Sequence, residues 1–371
     1  MKLLAVVHPD YSSSDALFTR IDIQEVPVPF AMLEVAVDLD SKLDDDMVLV
    51  KKTAFSINYR DKGICLRAYR EIQESGSLSS YFTIGSEFAG VVVRVGSAVH
   101  QFKPGDRVMP DHAFPHSGYK HVLPGVISNK CSSEYAVYHF SKLIQIPDNM
   151  TDETAASFSL GAQTAYSMVR KAVLLPGQRA LVTAASSNTS LFIIQTLIAR
   201  GIETHVITTQ REYTEAFKKI GVHTVYHNNT SFDFYDERQD MAHINDRFDA
   251  VFDPLFDIYF VSVVPLLNMG AKYLTCGRYD QFSGIDGEPD GRYDQDIKVT
   301  ELIGYILHNN ISLIGNCIGF SSDLEQAVKD YEEGKLPVLI DSVFRNGDIN
   351  GFMTRSFSEK KRLGKVIYSY Q

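Results

Sequence analysis

The sequence predicts an α/β protein in two parts, a mostly-β segment followed by a doubly wound parallel sheet. Three observations carry that reading. Up to about Met150, short apolar runs are separated by Pro, Gly and acidic turns, as in a barrel or irregular sheet. From Arg179 onward, strand-like and helix-like runs alternate, as in stacked strand, helix, strand units whose sheet is covered on both faces. The chain has 371 residues, 44% hydrophobic and 22% charged, an ordinary soluble composition and enough for two cores at roughly 150 residues each.

Composition also excludes. A formal charge of −10 and a pI of about 5.6 argue against a nucleic-acid surface or an anionic membrane as partner. The four cysteines, Cys65, Cys131, Cys276 and Cys317, are scattered and form no CxxC pair, which favours a reducing, cytoplasmic setting. The opening MKLLAVV is too short for a secretory h-region of roughly 7–15 apolar residues. No stretch reaches transmembrane length.

In the first part, Met47 to Lys52 and Phe88 to Val95 read as strands. Gly85 to Gly90 leads into the second of these, and Phe102 to Val108 closes the hairpin after it. Met109 to Ser132 is a Pro, Gly and His-rich loop. Its His112, His116, His121 and Cys131 invite a zinc reading, but their spacing is not that of a paired-cysteine site, and a solvated or substrate-covering loop is preferred.

The second part is organised around Arg179 to Arg211. Ala180 to Val182 suits a buried parallel strand, Thr183 to Ser190 is a turn of small residues, Leu191 begins an apolar helix and Gly201 stops it. A helix that starts just after a strand offers free N–H groups and a positive dipole end to a pyrophosphate. No glycine lies between Gly177 and Gly201, so Ala184, Ser187, Asn188 and Ser190 stand where a dinucleotide fingerprint has glycine, with Asn the type that best tolerates left-handed backbone. Strands follow at Glu203 to Thr208, Val222 to Tyr226, Phe248 to Asp253 and Ala271 to Cys276, with helices at Glu212 to Ile220 and Ile258 to Leu267. Gln281 to Asp296 is a polar loop placed over a cleft or an oligomer edge. Asp323 to Gly334 is a helix, Pro337 to Phe344 an extended return, and Phe357 to Ile367 a closing element.

Ile84 to Met109 closely resembles the GroES-like catalytic domain of medium-chain dehydrogenases and reductases. Ser56 to Asp61 is similar to the substrate-side segment of their quinone oxidoreductase and enoyl reductase branch. The resemblance continues through Ser133 to Val137, Ile146 to Asp148, Ala155 to Tyr166 and Gly364-Lys365-Val366, and so covers nearly the whole chain. It implies a GroES-like domain over residues 1–150, completed by 311–371, and a Rossmann NADP-binding domain over 151–310. The family's catalytic zinc ligands fail position by position. The early Cys is replaced within Asn58 to Asp61, the His before the glutamate is Ser86, the later Cys has no counterpart near Gly161, and Glu87 alone survives.

The resemblance therefore implies a zinc-independent, NADPH-dependent reductase of an activated carbon–carbon double bond in an enone, quinone or enoyl thioester. The substrate is a small molecule with a conjugated carbonyl, and a homodimer is possible. Asn58, Tyr59 and Tyr69 are the candidate hydrogen-bond donors to the carbonyl. The cofactor set is Thr164, Ala185, Ser186, Ser187, Asn188 and Thr189, then Thr208, Thr209 and Arg211, then Asp253, Cys276 and Gly277 beside the nicotinamide. No acid follows Ile207 to repel a 2′-phosphate, and Arg211 offers it a charged fork, which favours NADPH. Cys276 reads better as a small buried residue than as a nucleophile, and Lys365 as a surface lysine or a contact to a cofactor phosphate. The rivals are a zinc-independent carbonyl reductase and a non-catalytic binding module with a degenerate nucleotide loop.

Overall fold

The computed structural model describes residues 1–11, 17–228, 241, 243–279, 299–359 and 361–371. The polar loop expected from Gln281 to Asp296 lies outside these. The chain forms two compact units, residues 1–160 with 340–371, and residues 161–339.

Three strands, β1 (Lys2–Val7), β2 (Leu17–Ile23) and β3 (Val26–Glu34), begin an antiparallel sheet. β4 (Met47–Ser56) opens a second sheet and runs into helix α1 (Asp61–Ser75), which buries Cys65, Ala68 and Ile72 along one stripe and ends on left-handed Gly76 (φ 63°). β5 (Tyr81–Thr83) returns to the first sheet beside β1. β6 (Glu87–Val95), β7 (Arg107–Pro110), β8 (Tyr135–His139) and β9 (Leu143–Gln145) extend the second, and the short helix α2 (Asp152–Ala155) follows.

The other unit takes most of α3 (Ser159–Ala172) and then alternates strand and helix, except that the strands Thr224–His227 and Phe248–Asp253 follow one another among the described residues. In order come β10 (Arg179–Val182), α4 (Asn188–Ala199), β11 (Glu203–Thr208), α5 (Thr214–Lys219), β12 (Thr224–His227), β13 (Phe248–Asp253) and α6 (Phe256–Val263). β14 (Leu267–Thr275), α7 (Val299–Asn309), β15 (Ser312–Gly315) and α8 (Ser321–Glu332) complete it. The strands lie in the order β12-β11-β10-β13-β14-β15, all parallel. That is the 3-2-1-4-5-6 order of a dinucleotide-binding sheet, and it reverses between β10 and β13, where such sheets bind ligand. Leu181, Ile207, Phe248, Val251 and Tyr273 fill the core against α6.

The chain returns to the first unit at residue 340, not at 311 as the sequence reading has it. The reason is β15, whose Leu313 and Ile314 pair with Tyr273 and Leu274 as the sixth strand of the parallel sheet. β16 (Ile340–Phe344) and β17 (Lys365–Ser369) then complete the second β-sheet, with β17 antiparallel to β4 and helix α9 (Ile349–Phe357) between them in sequence. Phe55 of β4 sits 5.3 Å from Phe352 of α9 and 5.4 Å from Tyr368 of β17, an aromatic core that fixes this return.

Candidate functional site

In the first unit, strand register builds the polar centre. Ser56 of β4 lies opposite Glu87 of β6 on one side and Ile367 of β17 on the other. Three distant segments therefore meet where β4 ends, bringing Asn58, Glu87 and Lys365 together. Lys365 Nζ donates to Glu87 Oε2 at 2.8 Å and also to Asn58 Oδ1. Asn58 Nδ2 donates to Glu87 Oε2 at 2.9 Å and to Ser86 Oγ at 2.8 Å. Ser86 Oγ donates in turn to Asp61 Oδ2 at 3.0 Å, and the Leu160 N–H donates to Glu87 Oε1 at 2.8 Å.

Asp61, Ser86 and Glu87 are fully buried and Lys365 nearly so. Burial works to raise the Glu87 carboxyl, but the Lys365 ammonium, its hydrogen bond and the Asn58 amide hold it below its ordinary value. Burial raises Asp61, against the pull of Arg60, the Asn58 N–H, the Ser86 hydroxyl and Lys365. Lys365 is thus neither a surface lysine nor placed on a phosphate. It is the cation of a buried ion pair, and its setting beside the apolar run Val366 to Tyr368 was the signal for this, since a buried lysine needs a partner. Asn58, expected as a donor to substrate, spends both ends of its amide inside the network.

Tyr59 follows Asn58 and is half-buried, with Lys62 Nζ 5.2 Å from its ring centre. Tyr69 is half-buried on α1. The loop from Met109 to Ser132 divides in two. His116 and His121 are exposed, while His112 and Cys131 are buried. His112 Nε2 lies 3.2 Å from Ser159 Oγ, and the Ile127 N–H reaches its Nδ1 at 3.4 Å. Burial depresses its pKa to about 3 against the attraction of Glu87, so the imidazole is neutral. The four loop residues do not gather into a ligand set.

In the second unit, the turn after β10 stands at the reversal of strand order. Ala184 alone within it takes a left-handed backbone (φ 46°). Asn188, expected to supply that freedom, is instead the first residue of α4. Ser187 caps the helix, its Oγ accepting the Ser190 N–H at 3.2 Å, and Ser190 Oγ donates to Thr183 O at 2.9 Å. Ser186 to Thr189 are half-exposed and the first turn carries no acid. The first amides of α4 have no carbonyl of their own helix to reach, so this turn fits an anionic phosphate. Ala185 is buried, with its N–H on Ile207 O at 3.2 Å, and so supports the turn from beneath. Gly161 supplies the close approach that a fingerprint glycine would give. A Cβ there would meet Phe192 Cδ2 at 2.8 Å and Asn188 Nδ2 at 2.9 Å. Thr164 is buried on the same helix, α3.

At the end of β11, Thr208 is buried and its Oγ1 accepts the Gln210 N–H at 3.0 Å, Thr209 is half-buried and Arg211 is exposed. Among these residues no carboxylate is present. Asp253, expected beside the nicotinamide, is fully buried and used within the sheet. Thr183 Oγ1 donates to its Oδ1 at 2.6 Å, the Leu255 N–H reaches the same oxygen at 2.9 Å, and the Tyr273 hydroxyl donates to Oδ2. It therefore ties the ends of β10, β13 and β14 together. Burial, partly offset by those bonds, raises it to about 6. Burial, with the charge of Asp253, pushes the Cys276 thiol up to about 12, so it is no thiolate at neutral pH. The Gly277 carbonyl accepts the Phe256 N–H at 3.1 Å and closes the loop after β14.

The sequence reading gave no role to Asp61 or Thr183, which complete these two networks. Both are ordinary polar residues whose partners lie on other strands, so no local spacing marks them.

Residues 44–148 match the model of the alcohol dehydrogenase GroES-like domain. Over 330 residues the chain is 27% identical to an acryloyl-coenzyme A reductase of Metallosphaera sedula, spanning 84% of this chain and 90% of that one. A thermostable alcohol dehydrogenase from Pyrobaculum aerophilum matches it in fold over all of both chains, with a TM-score of 0.72 and 20% identity. A crotonyl-CoA carboxylase/reductase in complex with NADP matches over 99% of this chain and 94% of that one, with a TM-score of 0.74 and 14% identity. Residues 44–148 are thus a GroES-like domain by sequence, and over its full length the chain shares the fold of these dehydrogenases and reductases, a GroES-like part with a Rossmann parallel sheet.

Proposed function

We propose that this protein is an NADPH-dependent reductase of a carbon–carbon double bond conjugated to a carbonyl, working without zinc. The observation that carries the reading is the set around Glu87, whose carboxylate is closed onto Lys365 and the Asn58 amide. Ser86 and the stretch from Asn58 to Asp61, which the resemblance places where imidazole and thiolate would bind zinc, offer neither ligand, and the local cation is an ammonium. The likeness to a protein named acryloyl-coenzyme A reductase supports a conjugated thioester as the substrate type.

NADPH, when bound, supplies the hydride. The chain's part is to bind and to polarise. The α4 start from Ser187 to Thr189 would hold the pyrophosphate, and Arg211 would hold the 2′-phosphate. Tyr59 and Tyr69 donate to the carbonyl oxygen as charge builds on it, while Asn58 positions its neighbours from within the Lys365 and Glu87 network.

The test is product analysis with NADPH deuterated at the transferred position. The label is expected on the β carbon of a saturated product. Label on a carbinol carbon would instead mean carbonyl reduction, and NADPH binding without turnover across enones, quinones and enoyl thioesters would mean a binding role. Loss of one transition-state donor lowers turnover by about 10²–10³-fold, so Tyr59→Phe or Tyr69→Phe should show that loss with cofactor affinity nearly unchanged. Full turnover in both variants would place the polarising group elsewhere.

A further inference from the structure

The geometry points to a divalent metal site of zinc type on the second unit, formed by Glu203, His205 and His223. Glu203 and His205 alternate on β11, so their side chains leave the same face of the sheet. His223 comes from the residue just before β12 and is held alongside by its N–H, which donates to Thr204 O at 2.8 Å. Glu203 Oε1 lies 3.0 Å from His205 Nε2 and 3.9 Å from His223 Nε2, and all three ligand atoms fall within 4.8 Å of one another. Metal bonds of about 2.0–2.1 Å at tetrahedral angles place ligand atoms roughly 3.3–3.4 Å apart. Closing this set on one ion requires Glu203 Oε1 and His205 Nε2 to part slightly and the exposed His223 ring to swing inward. Among the described residues no other group of three or more His, Cys, Asp or Glu is so placed.

The second observation is behind the ligands. Metal-bound imidazole characteristically donates its other N–H to a fixed acceptor. His205 Nδ1 lies 3.4 Å from the Tyr226 hydroxyl, whose ring stacks near-parallel to the imidazole, and that hydroxyl donates to Asp246. Arg179 braces both acids, with Nε 2.8 Å from Glu203 Oε1 and Nη1 3.2 Å from Asp246 Oδ1. With a metal on Nε2, the single proton of neutral His205 moves to Nδ1, where the Tyr226 oxygen receives it. The guanidinium offsets carboxylate charge, and two imidazoles outnumber one carboxylate, so the set suits Zn²⁺ rather than Ca²⁺ or Mg²⁺.

His205 is buried, but the His223 side chain is 57% exposed and leaves the outer position open to water. Glu203 and Arg179 begin their strands, so this site stands at the opposite end of the parallel sheet from the turn after β10. It is independent of the reductase reading. Its physical effect is to fasten β11 to the lead-in of β12.

The test uses the full chain, stripped with chelator and titrated with zinc chloride against a chromophoric zinc indicator. One equivalent is expected, with His223→Gln weakening it about tenfold or more. His223 is exposed, so this change leaves the core intact. Cobalt should give the visible bands of a tetrahedral nitrogen and oxygen site in the wild type and lose them in His223→Gln. Glu203→Gln, which keeps the shape, should also weaken zinc. The proposal is overturned if the stripped wild type takes up no zinc, or if both variants bind it as tightly as the wild type.

Discussion

Arg211 stands exposed after β11, preceded by Thr208, Thr209 and Gln210, none of which carries a charge. A reversed charge beside a phosphate costs about 1–3 kcal/mol, roughly five- to a hundredfold in affinity. Arg211→Glu should therefore abolish or invert a preference for NADPH over NADH in quenching titrations, and equal wild-type affinities for both would remove the argument. His112 makes a different prediction. Unfolded, it titrates near 6.5, whereas burial holds it to about 3 in the folded chain. The unfolded state binds the extra proton in that window, so the stability tied to neutral His112 is complete above pH 6.5 and is lost as pH falls toward 3. The loss runs at up to about 1.4 kcal/mol per pH unit. His112→Asn should flatten the decline between pH 6.5 and about 5 in urea melts, and an unchanged slope would mean that His112 is hydrated. The local character of both residues was legible in sequence. The burial of His112 was not, because its partner Ser159 and its charged neighbour Glu87 come from other segments.

The turn between β10 and α4 shows how an element tolerates an unusual composition. The one strained conformation falls on Ala184, and the close approach is made across helices at Gly161. A methyl at Gly161 would need Phe192 and Asn188 to move by several tenths of an ångström in a packed core. Gly161→Ala should cost about 1–3 kcal/mol, read by thermal or urea unfolding, and should weaken NADPH because Asn188 opens α4. A fully stable variant with native affinity would show that α4 repacks without disturbing the turn. The strands were legible because buried parallel strands are short runs dominated by apolar residues, as in Phe248 to Asp253, where reading and structure agree residue for residue. Boundaries drifted where apolar pattern and hydrogen bonding part. The helix read from Ile258 to Leu267 spans Phe256–Val263, and Leu267 already belongs to β14.

At the scale of the whole molecule, two units carry two tasks, a GroES-like body with the Glu87 network and a parallel sheet with the small-residue turn. If the hydride chemistry needs no Lewis acid, turnover of the His223→Gln variant, which weakens the Glu203 and His205 site, should persist after exhaustive chelation. Activity of that variant that is lost on chelation and restored by zinc would sink the zinc-independent reading. The sequence by itself determined the class of each unit, the first five strands of the parallel sheet and the position of the small-residue turn after β10, because these follow from local periodicity and from motifs whose parts are contiguous. Tertiary structure alone decided that Lys365 neutralises Glu87, that Asn58 is spent on both and that Asp253 binds sheet strands together. It also decided that residues 312–315 stay with the parallel sheet. Each of these depends on strand register between segments far apart in the chain, and a buried polar group takes its role from whichever partner that register brings within hydrogen-bond reach.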